Sequence, residues 1–359
     1  MDYQDSSSPL RAHSQHYASQ SNDEDDDEIE SRHSGQNNDF SQADYFVEAE
    51  RTYNNASWVY RLPADHEEVV RQDRLHYILL SLLPGLYRGP VEEILDDRSR
   101  RHKRILDIGC GTGLWRWPNF SLRSIASGLV GLVYMGQMAD ETDITPLQHD
   151  SQFRNCTFMQ VNAPAGLRTL GGNSFDVVNI RQMLHATDEY PSMVKEAHRL
   201  LRTGGILLVH EPQLQLHSAW EGYSLEDLAP CLAQMIGHLR AAYQYRGIDT
   251  ELFSKMDQVL VEAGFDADGI DVYYHYRQAC SEDPHSEVGM NEVLNAISFL
   301  YAARLMILET GVIDEDGFDQ LMPGISDEVS GRSRGIAGPL GAQGMLSPWG
   351  YWWVIKGHE

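Results

Sequence analysis

The pattern with the clearest chemical meaning is an acidic residue followed by three alternating glycines, Asp107, Gly109, Gly111 and Gly113. An apolar stretch precedes the acid, which places it at the end of a predicted strand. Glycine carries no side chain, so the backbone can approach a ligand closely, and the helix expected to follow begins with free N–H groups. The pattern therefore predicts a ligand-binding turn.

The glycine spacing distinguishes between two kinds of cofactor. The dinucleotide-binding fingerprint has glycine at its first, third and sixth places, whereas the sixth place counted from Gly109 is Leu114. NAD binding, and with it an NAD-dependent oxidoreductase, is therefore disfavoured.

Polar residues also follow two later predicted strands. Arg181 and His185 follow residues 175–180, and Glu211 follows residues 206–210, at the strand ends where open α/β folds bind ligands. His185 titrates near neutrality and is a candidate base, with a hydrogen-bonded wall residue as the alternative. We therefore take His185 and Glu211 as candidate catalytic residues, Glu211 as the one that contacts substrate.

A metal site is not expected. The four cysteines are scattered, without CxxC or Cys/His ligand spacing, at Cys110, Cys156, Cys231 and Cys280. They predict neither a zinc site nor a disulfide framework, and Cys110 is interpreted as a small packing residue of the turn.

Short apolar runs alternate with helical stretches, which predicts a parallel sheet covered by helices. The predicted strands are residues 104–108, 157–161, 175–180, 206–210, 270–276 and 351–355. The predicted helices are residues 67–80, 193–201, 225–245, 251–263 and 287–309.

Composition divides the chain. Residues 1–42 are polar and acidic and are predicted to be disordered, since residues 1–50 hold about 11 of the 25 net negative charges. Residues 43–103 are expected to form a helical segment that packs on a domain spanning 104–359, with a helical insertion near 287–343. The single basic run, 98–104, is too short to favour nucleic-acid binding.

No apolar run is long enough to span a bilayer, and the polar start is not typical of a signal peptide. We expect no membrane partner and a cytoplasmic or nuclear location.

The sequence resembles the class I S-adenosylmethionine-dependent methyltransferases, and more narrowly the fungal LaeA-like group, from about Tyr53 onward. The resemblance rests on LDIGCGTGLW at 106–115 and on flanking motifs: YRLPAD at 60–65 with Glu68, Arg71 and His76, TDITPLQ at 142–148, FDVV at 175–178, LRTGGILLVHE at 201–211 and SPWGYWW at 347–353. It implies a Rossmann-like α/β fold with a mostly parallel seven-stranded sheet, helices on both faces and a helical cap insertion.

The resemblance also implies roles for individual residues. Asp107 would orient the turn, whose glycines would pass beneath the methionine and ribose portions of S-adenosylmethionine. Asp143 would accept hydrogen bonds from the ribose hydroxyls, with a helix cap as its alternative role. Asn162 would meet the adenine amino group, with a plain turn residue as the alternative.

The segment 116–142 departs from the family pattern. Pro118 and Asn119 interrupt the helix expected after the turn, and residues 138–142 make a poor buried strand. Two interpretations stand: a real insertion and deletion, or an intron translated in place of an exon. If the chain is made as printed, we expect reduced cofactor affinity, because the sheet would lose its second strand or use residues 129–135 instead.

Two functions are compatible with these features. The first is an enzyme that methylates a small molecule in secondary metabolism, using S-adenosylmethionine and mainly proximity and alignment. The second is a regulatory or scaffolding protein that keeps the fold and binds a protein partner. The sequence does not identify the methyl acceptor, because the fold and the cofactor turn define only the donor.

Overall fold

The computed structural model describes residues 45–55, 57–82, 87–96, 103–112, 126–134, 156–278, 287–332 and 344–358, with backbone alone for 82, 126–134, 156–160 and 278. The tail predicted for residues 1–42 lies outside these ranges.

Ten strands and nine helices occur in the described residues. The strands are β1 Tyr45–Glu48, β2 Arg51–Asn54, β3 Lys103–Ile108, β4 Ala126–Tyr134, β5 Cys156–Val161, β6 Phe175–Arg181, β7 Leu201–Pro212, β8 His217–Ser218, β9 Ile270–Gln278 and β10 Met345–Ile355. The helices are α1 His66–Leu82, α2 Val91–Leu95, α3 Tyr190–Leu200, α4 Leu225–Leu228, α5 Pro230–Tyr245, α6 Met256–Glu262, α7 Glu287–Ala302, α8 Arg304–Leu308 and α9 Glu315–Val329.

One large sheet organises the chain. Its order is β5-β4-β3-β6-β7-β10, and both β9 and the short β8 pair with β10. Strands β3 to β7 are parallel to one another, and β10 is antiparallel to both β7 and β9. The mostly parallel sheet is therefore confirmed, and the two-residue β8 adds an eighth strand to the seven expected.

Helices cover both faces of this sheet, because successive side chains of a strand point to opposite sides. Leu207 and Val209 pack with α3 and α6 in one apolar cluster. Ile206 and Leu208 pack with α2 in another. Strand β7 is thus apolar on both faces, as expected for the centre of an α/β sheet.

Helix α1 begins at a side-chain cap. The Asp65 carboxylate accepts a hydrogen bond from the Glu68 backbone N–H at 3.0 Å and forms an ion pair with Arg51 at 2.6 Å. An aspartate in this position satisfies an N–H group that has no partner within the helix. The cap fixes the start of helix α1, which provides one wall of the functional site described below.

A third apolar cluster is formed mainly by helices outside the sheet. Helices α5, α7, α8 and α9 pack together around Leu232, Met235, Leu300, Phe318 and Met322. These helices form a separate layer that provides one wall of the site described below.

Some element predictions need correction. The helix predicted over 225–245 breaks at Ala229, whose φ is −151°, because a residue before proline is disfavoured in helical geometry. The helix predicted over 287–309 breaks at Ala303. Helix α9 was not predicted; the Asp314 side chain caps it by accepting from the Gly317 N–H at 2.9 Å.

The irregular segment does contribute a strand. Strand β4 pairs in parallel with β3 on one side and with β5 on the other, so it occupies the place of the second strand. Of the two expected outcomes, a lost strand or a strand near 129–135, the structure shows the second. Residues 138–142 lie outside the described ranges.

Candidate functional site

The glycine turn follows β3 and has the left-handed backbone that its residue types permit. Gly109 has φ +76° and Gly111 has φ +59°. A Cβ atom added to Gly109 would lie 2.3 Å from the Met183 Sδ, so a side chain would collide with the loop after β6. The turn therefore needs glycine at this position for both backbone and packing reasons. Gly113 lies outside the described residues.

A cavity opens beside this turn, and we call it the turn cavity. Helix α1 and the loop after β6 provide its other walls. Its lining residues are Tyr60, Leu62, Arg71, Gln72, Leu75, His76, Gly109, Cys110, Gly111, Thr112, Arg181, Gln182, Met183, His185 and Ala186. The motifs quoted at 60–65 and 68–76 thus come to the glycine turn in space, although sequence reasoning gave them no place in the site.

Asp107 lies buried beneath the turn. Its Oδ1 accepts a hydrogen bond from the Asn179 Nδ2 at 2.6 Å. Burial raises the pKa of Asp107 to about 6, an increase that the nearby Arg181 and the Asn179 hydrogen bond both oppose. Asp107 thus connects the ends of β3 and β6, a place that matches the orienting role expected for it.

Glu211 is also buried, and it supports a loop. Its carboxylate accepts hydrogen bonds from the backbone N–H groups of Met183 at 2.9 Å and Leu184 at 3.2 Å, and from the Tyr190 hydroxyl at 3.1 Å. Burial raises the pKa of Glu211 to about 7, against the lowering effect of these donors. The substrate contact expected from the sequence needs correction, because Glu211 is fully buried and its oxygens are engaged by the loop.

The loop that Glu211 supports contains a strained residue. Gln182 has φ +57°, which is unfavourable for a residue with a side chain, and its N–H donates to the His210 carbonyl at 3.0 Å. Such conformations persist where the surroundings over-determine them, and they cluster at functional sites. The described structure therefore holds residues 182–184 in a defined position beside the turn.

A second cavity of about 180 Å³ adjoins the first, and we call it the apolar cavity. Most of its lining residues are apolar and come from the segment after β7, from helices α5, α7 and α9, and from β10: Leu214, Leu216, Leu232, Ile236, Leu239, Phe299, Leu300, Val329 and Trp349. Arg71, Leu75, Gln182 and His185 line both cavities. The two cavities are thus neighbours that share one wall.

His185 stands in this shared wall. Burial, with a smaller contribution from Arg71, lowers the pKa of His185 to about 4, so its imidazole is neutral at neutral pH. A neutral imidazole can both donate and accept a hydrogen bond. The position agrees with that expected from the sequence, and a catalytic role stays a prediction.

A buried ion pair orients Arg71 in the same wall. Its Nε and Nη2 donate to the Glu68 carboxylate at 2.8 and 2.6 Å, and its guanidinium lies 5.4 Å from the centre of the Phe299 ring. Both partners are almost fully buried. Helix α1 thus presents a fixed cation between the cavities, which the sequence motif alone did not reveal.

The other predicted residues lie apart from these cavities or outside the described ranges. Asn162 is exposed just after β5, and its backbone carbonyl accepts a hydrogen bond from the Gly166 N–H at 2.6 Å. His210, the last residue of the strand predicted over 206–210, points to the other side of β7, where its Nε2 lies 3.2 Å from that of His275. Asp143 falls outside the described residues.

Comparison with known proteins finds relatives among the methyltransferases. A family model described as a methyltransferase domain matches residues 80–243. The secondary metabolism regulator laeA of Coprinopsis cinerea is 30% identical over 160 residues, 44% of this chain and 37% of that protein. The methyltransferase pytC of Aspergillus terreus is 26% identical over 208 residues, 58% of this chain and 57% of that protein.

A bacterial relative, the demethylmenaquinone methyltransferase of Lactococcus lactis, is 30% identical over 168 residues, 45% of this chain and 65% of that protein. The chain thus spans less than two thirds of the length of each of these relatives. Among solved structures, phosphoethanolamine N-methyltransferase 2 of Haemonchus contortus with S-adenosyl-L-methionine has a TM-score of 0.40 at 13% identity, over 88% of this chain and 71% of that chain.

The strand order, the glycine turn and the family match define a class I methyltransferase domain. Within that class the chain is similar to the LaeA-like group, at 25% to 30% identity to the laeA and LAE1 relatives. The cofactor of this class is S-adenosylmethionine. No helix among the described residues is long and apolar enough to cross a membrane. The same part of the chain contains no cluster of three or more metal-ligating side chains.

Proposed function

We propose that the chain binds S-adenosylmethionine in the turn cavity and methylates a small molecule held in the apolar cavity. The observation that carries this proposal is the shared wall of the two cavities, which Arg71, Leu75, Gln182 and His185 form. Methyl transfer needs the donor and the acceptor side by side and in line, and two adjoining cavities supply that proximity.

The residues of the turn cavity fit the cofactor. Gly109 and Gly111 leave backbone where side chains would otherwise project, and Thr112 adds a hydroxyl to the wall. When bound, S-adenosylmethionine supplies a methyl group on a positively charged sulfur. Asp143 and Asn162 stay the predicted partners of its ribose and adenine.

The chain's own residues then have separate tasks. Glu211 and Asp107 hold the loops that form the cavity walls, while Gln182 and His185 lie where donor and acceptor would meet. Neutral His185 orients the acceptor by hydrogen bonding. The apolar residues of the apolar cavity exclude water from the acceptor.

Calorimetric titration of the full chain with S-adenosylmethionine and S-adenosylhomocysteine tests cofactor binding. We expect both to bind and NAD not to bind. The Gly109→Ala variant should lose binding, because its new methyl group collides with Met183. Gly222→Ala is the matched control, since Gly222 also has a positive φ, +83°, but nothing lies within 4 Å of the added Cβ. Equal binding by Gly109→Ala and wild type would refute the assignment of the turn.

The small-molecule acceptor belongs, in this proposal, to fungal secondary metabolism. The name of the laeA relative, a secondary metabolism regulator, supports this setting, and the methyltransferase names of pytC and of the bacterial relative support methyl transfer. Metabolite profiles of cells with and without the gene should show one methylated product disappear with the gene. Unchanged profiles under conditions where the protein is made would contradict it.

A second candidate function is regulation through a protein partner. Several relatives are named secondary metabolism regulators, which favours this alternative. Complementation with Gly109→Ala separates the two functions. An enzyme loses its product when the cofactor site is blocked, whereas a scaffold that acts without methyl transfer restores the metabolite profile.

A further inference from the structure

The apolar cavity has an uneven charge distribution. Three of its lining residues are arginines: Arg71, Arg240 and Arg277. No aspartate or glutamate is among the described residues that line it. A cavity with apolar walls and positively charged side chains has a positive electrostatic potential. The low dielectric constant of the surrounding protein strengthens that potential.

Each arginine has an acidic neighbour, but that neighbour does not line the cavity. Arg240 donates from Nη1 to the Leu214 carbonyl at 3.1 Å and from Nη2 to the Glu251 carboxylate at 2.5 Å. The Glu251 side chain is 55% exposed, so solvent screens its charge more than that of Arg240, which is 24% exposed.

Arg71 also lines the cavity, whereas its buried partner Glu68 does not. The Nε and Nη2 of Arg71 donate to the Glu68 carboxylate. Arg277 also lines the cavity, and it interacts with Glu292: burial raises the pKa of Glu292, and the nearby Arg277 opposes that increase. The cavity therefore meets the cationic member of each pair.

The described walls also lack a strong base. His185 is the one histidine among the described residues that line the apolar cavity, and burial lowers its pKa to about 4, so it is a weak base at neutral pH. His76 of the turn cavity also has its pKa lowered to about 4, by burial and by Arg181. Groups this weakly basic leave a neutral alcohol protonated.

We infer that the apolar cavity takes an apolar, ring-bearing acceptor with an acidic oxygen that is already ionised, a phenolate, enolate or carboxylate, in preference to an amine. This inference rests on the proposed function for the term acceptor, but its charge preference is a property of the cavity itself. Phe299, Trp349 and the surrounding leucines contact the ring system, and the arginines attract the anionic oxygen. A cationic amine would be repelled by the same walls.

Binding of three probes of similar size tests the inference. They are 2-naphthoate, 2-naphthalenemethanol and 2-naphthylmethylamine, each titrated into the full chain with and without saturating S-adenosylhomocysteine at neutral pH. We expect 2-naphthoate to bind at least about tenfold more tightly than the alcohol, and the amine to bind more weakly than both.

Arginine variants connect the preference to the cavity. Arg240→Gln should reduce the ratio of naphthoate to alcohol affinity severalfold, and Arg240→Lys should retain most of it. Arg168→Gln is the control, because Arg168 is exposed and lines neither cavity. Circular dichroism and cofactor binding verify that each variant is folded.

The outcomes separate this inference from the proposed function. Cofactor binding together with equal or tighter binding of the amine overturns the acceptor class but leaves the methyltransferase proposal standing. Failure of all three probes to bind, or an unchanged ratio in Arg240→Gln, also overturns the inference. Failure of cofactor binding contradicts the proposed function, whereas the titrations without cofactor still decide the charge preference.

Discussion

Replacement of Glu211 by glutamine provides a quantitative test of its role as a buried loop support. In the wild type, Oε1 accepts from the Met183 N–H and the Tyr190 hydroxyl, and Oε2 accepts from the Leu184 N–H. A glutamine oxygen can take the place of Oε1. Its amide nitrogen would then face the Leu184 N–H, donor against donor, at a cost of about 1 kcal/mol.

The titration of Glu211 works in the opposite direction, because it destabilises the wild type, but not the glutamine variant, as the pH rises. Burial raises its pKa from 4.5 in ordinary surroundings to about 7 in the folded chain. A raised folded-state pKa means that the protonated group favours folding below pH 4.5, and that this contribution is lost as the pH rises through about 7. Between about pH 4 and about pH 8 the wild type should therefore lose about 3 kcal/mol that the glutamine variant keeps.

The unfavourable contact in the variant and the titration of Glu211 in the wild type together predict that the order of stability of the two proteins reverses with pH. At about pH 4, Glu211→Gln should be less stable than the wild type by about 1 kcal/mol, and at about pH 8 it should be more stable by about 2 kcal/mol. Urea unfolding at a series of pH values measures the difference, in which the titration of all other groups cancels. Glu221→Gln on the exposed surface is the control and should leave the curve unchanged.

A stability difference that stays constant with pH would refute the reasoning about Glu211. A variant that remains less stable at about pH 8 would show that the ionised carboxylate, with its three donors, is better accommodated than its burial implies. Cofactor titration of the same variant adds a functional measure. Because the supported loop lines both cavities, the variant should bind S-adenosylhomocysteine more weakly than the wild type.

Three further predictions concern the walls of the site. Gly109→Ala should lower the free energy of unfolding by about 2 kcal/mol, since it combines a left-handed backbone with a contact on Met183; urea unfolding no different from wild type would contradict the packing described. Gln182→Gly should be more stable than Gln182→Ala by about 1 kcal/mol, because glycine alone relieves the positive φ; the reverse order in thermal unfolding would contradict it. Glu68→Ala should cost about 3–5 kcal/mol by leaving Arg71 buried without its carboxylate, and a loss below about 1 kcal/mol on denaturant titration would mean that this pair is solvated.

The sequence predicted the sheet well where the pattern is local. Strand β3 and the turn at Gly109 could be predicted because an apolar run followed by spaced glycines restricts the backbone directly. The break at Ala229 could also have been predicted, since Pro230 disfavours helical geometry in the residue before it. Strand β7 was predicted too short because its first residues, around Gly204, have no apolar pattern and gain their pairing from neighbouring strands.

The site residues were harder to predict. Glu211 follows a central strand and resembles a substrate-facing carboxylate in sequence, but two backbone N–H groups of another loop engage it in the folded chain. Glutamine occurs in many kinds of local structure, so its presence at position 182 does not predict strain. Only the positive φ of Gln182 in the folded chain shows that its backbone is strained. Neither property has a signal in the residue order, because each arises from segments that meet across the sheet.

The sequence by itself determined the glycine turn, since the absence of a side chain at Gly109 is a local property that any fold must respect. Tertiary structure decided what surrounds that turn. Arg71 reaches it from a helix more than thirty residues earlier in the chain, and His185 from a loop more than seventy residues later. The pairing of β6 with β3 and the position of α1 beside the glycine turn bring these side chains together. Such packing depends on the shape and burial of whole elements rather than on any short motif.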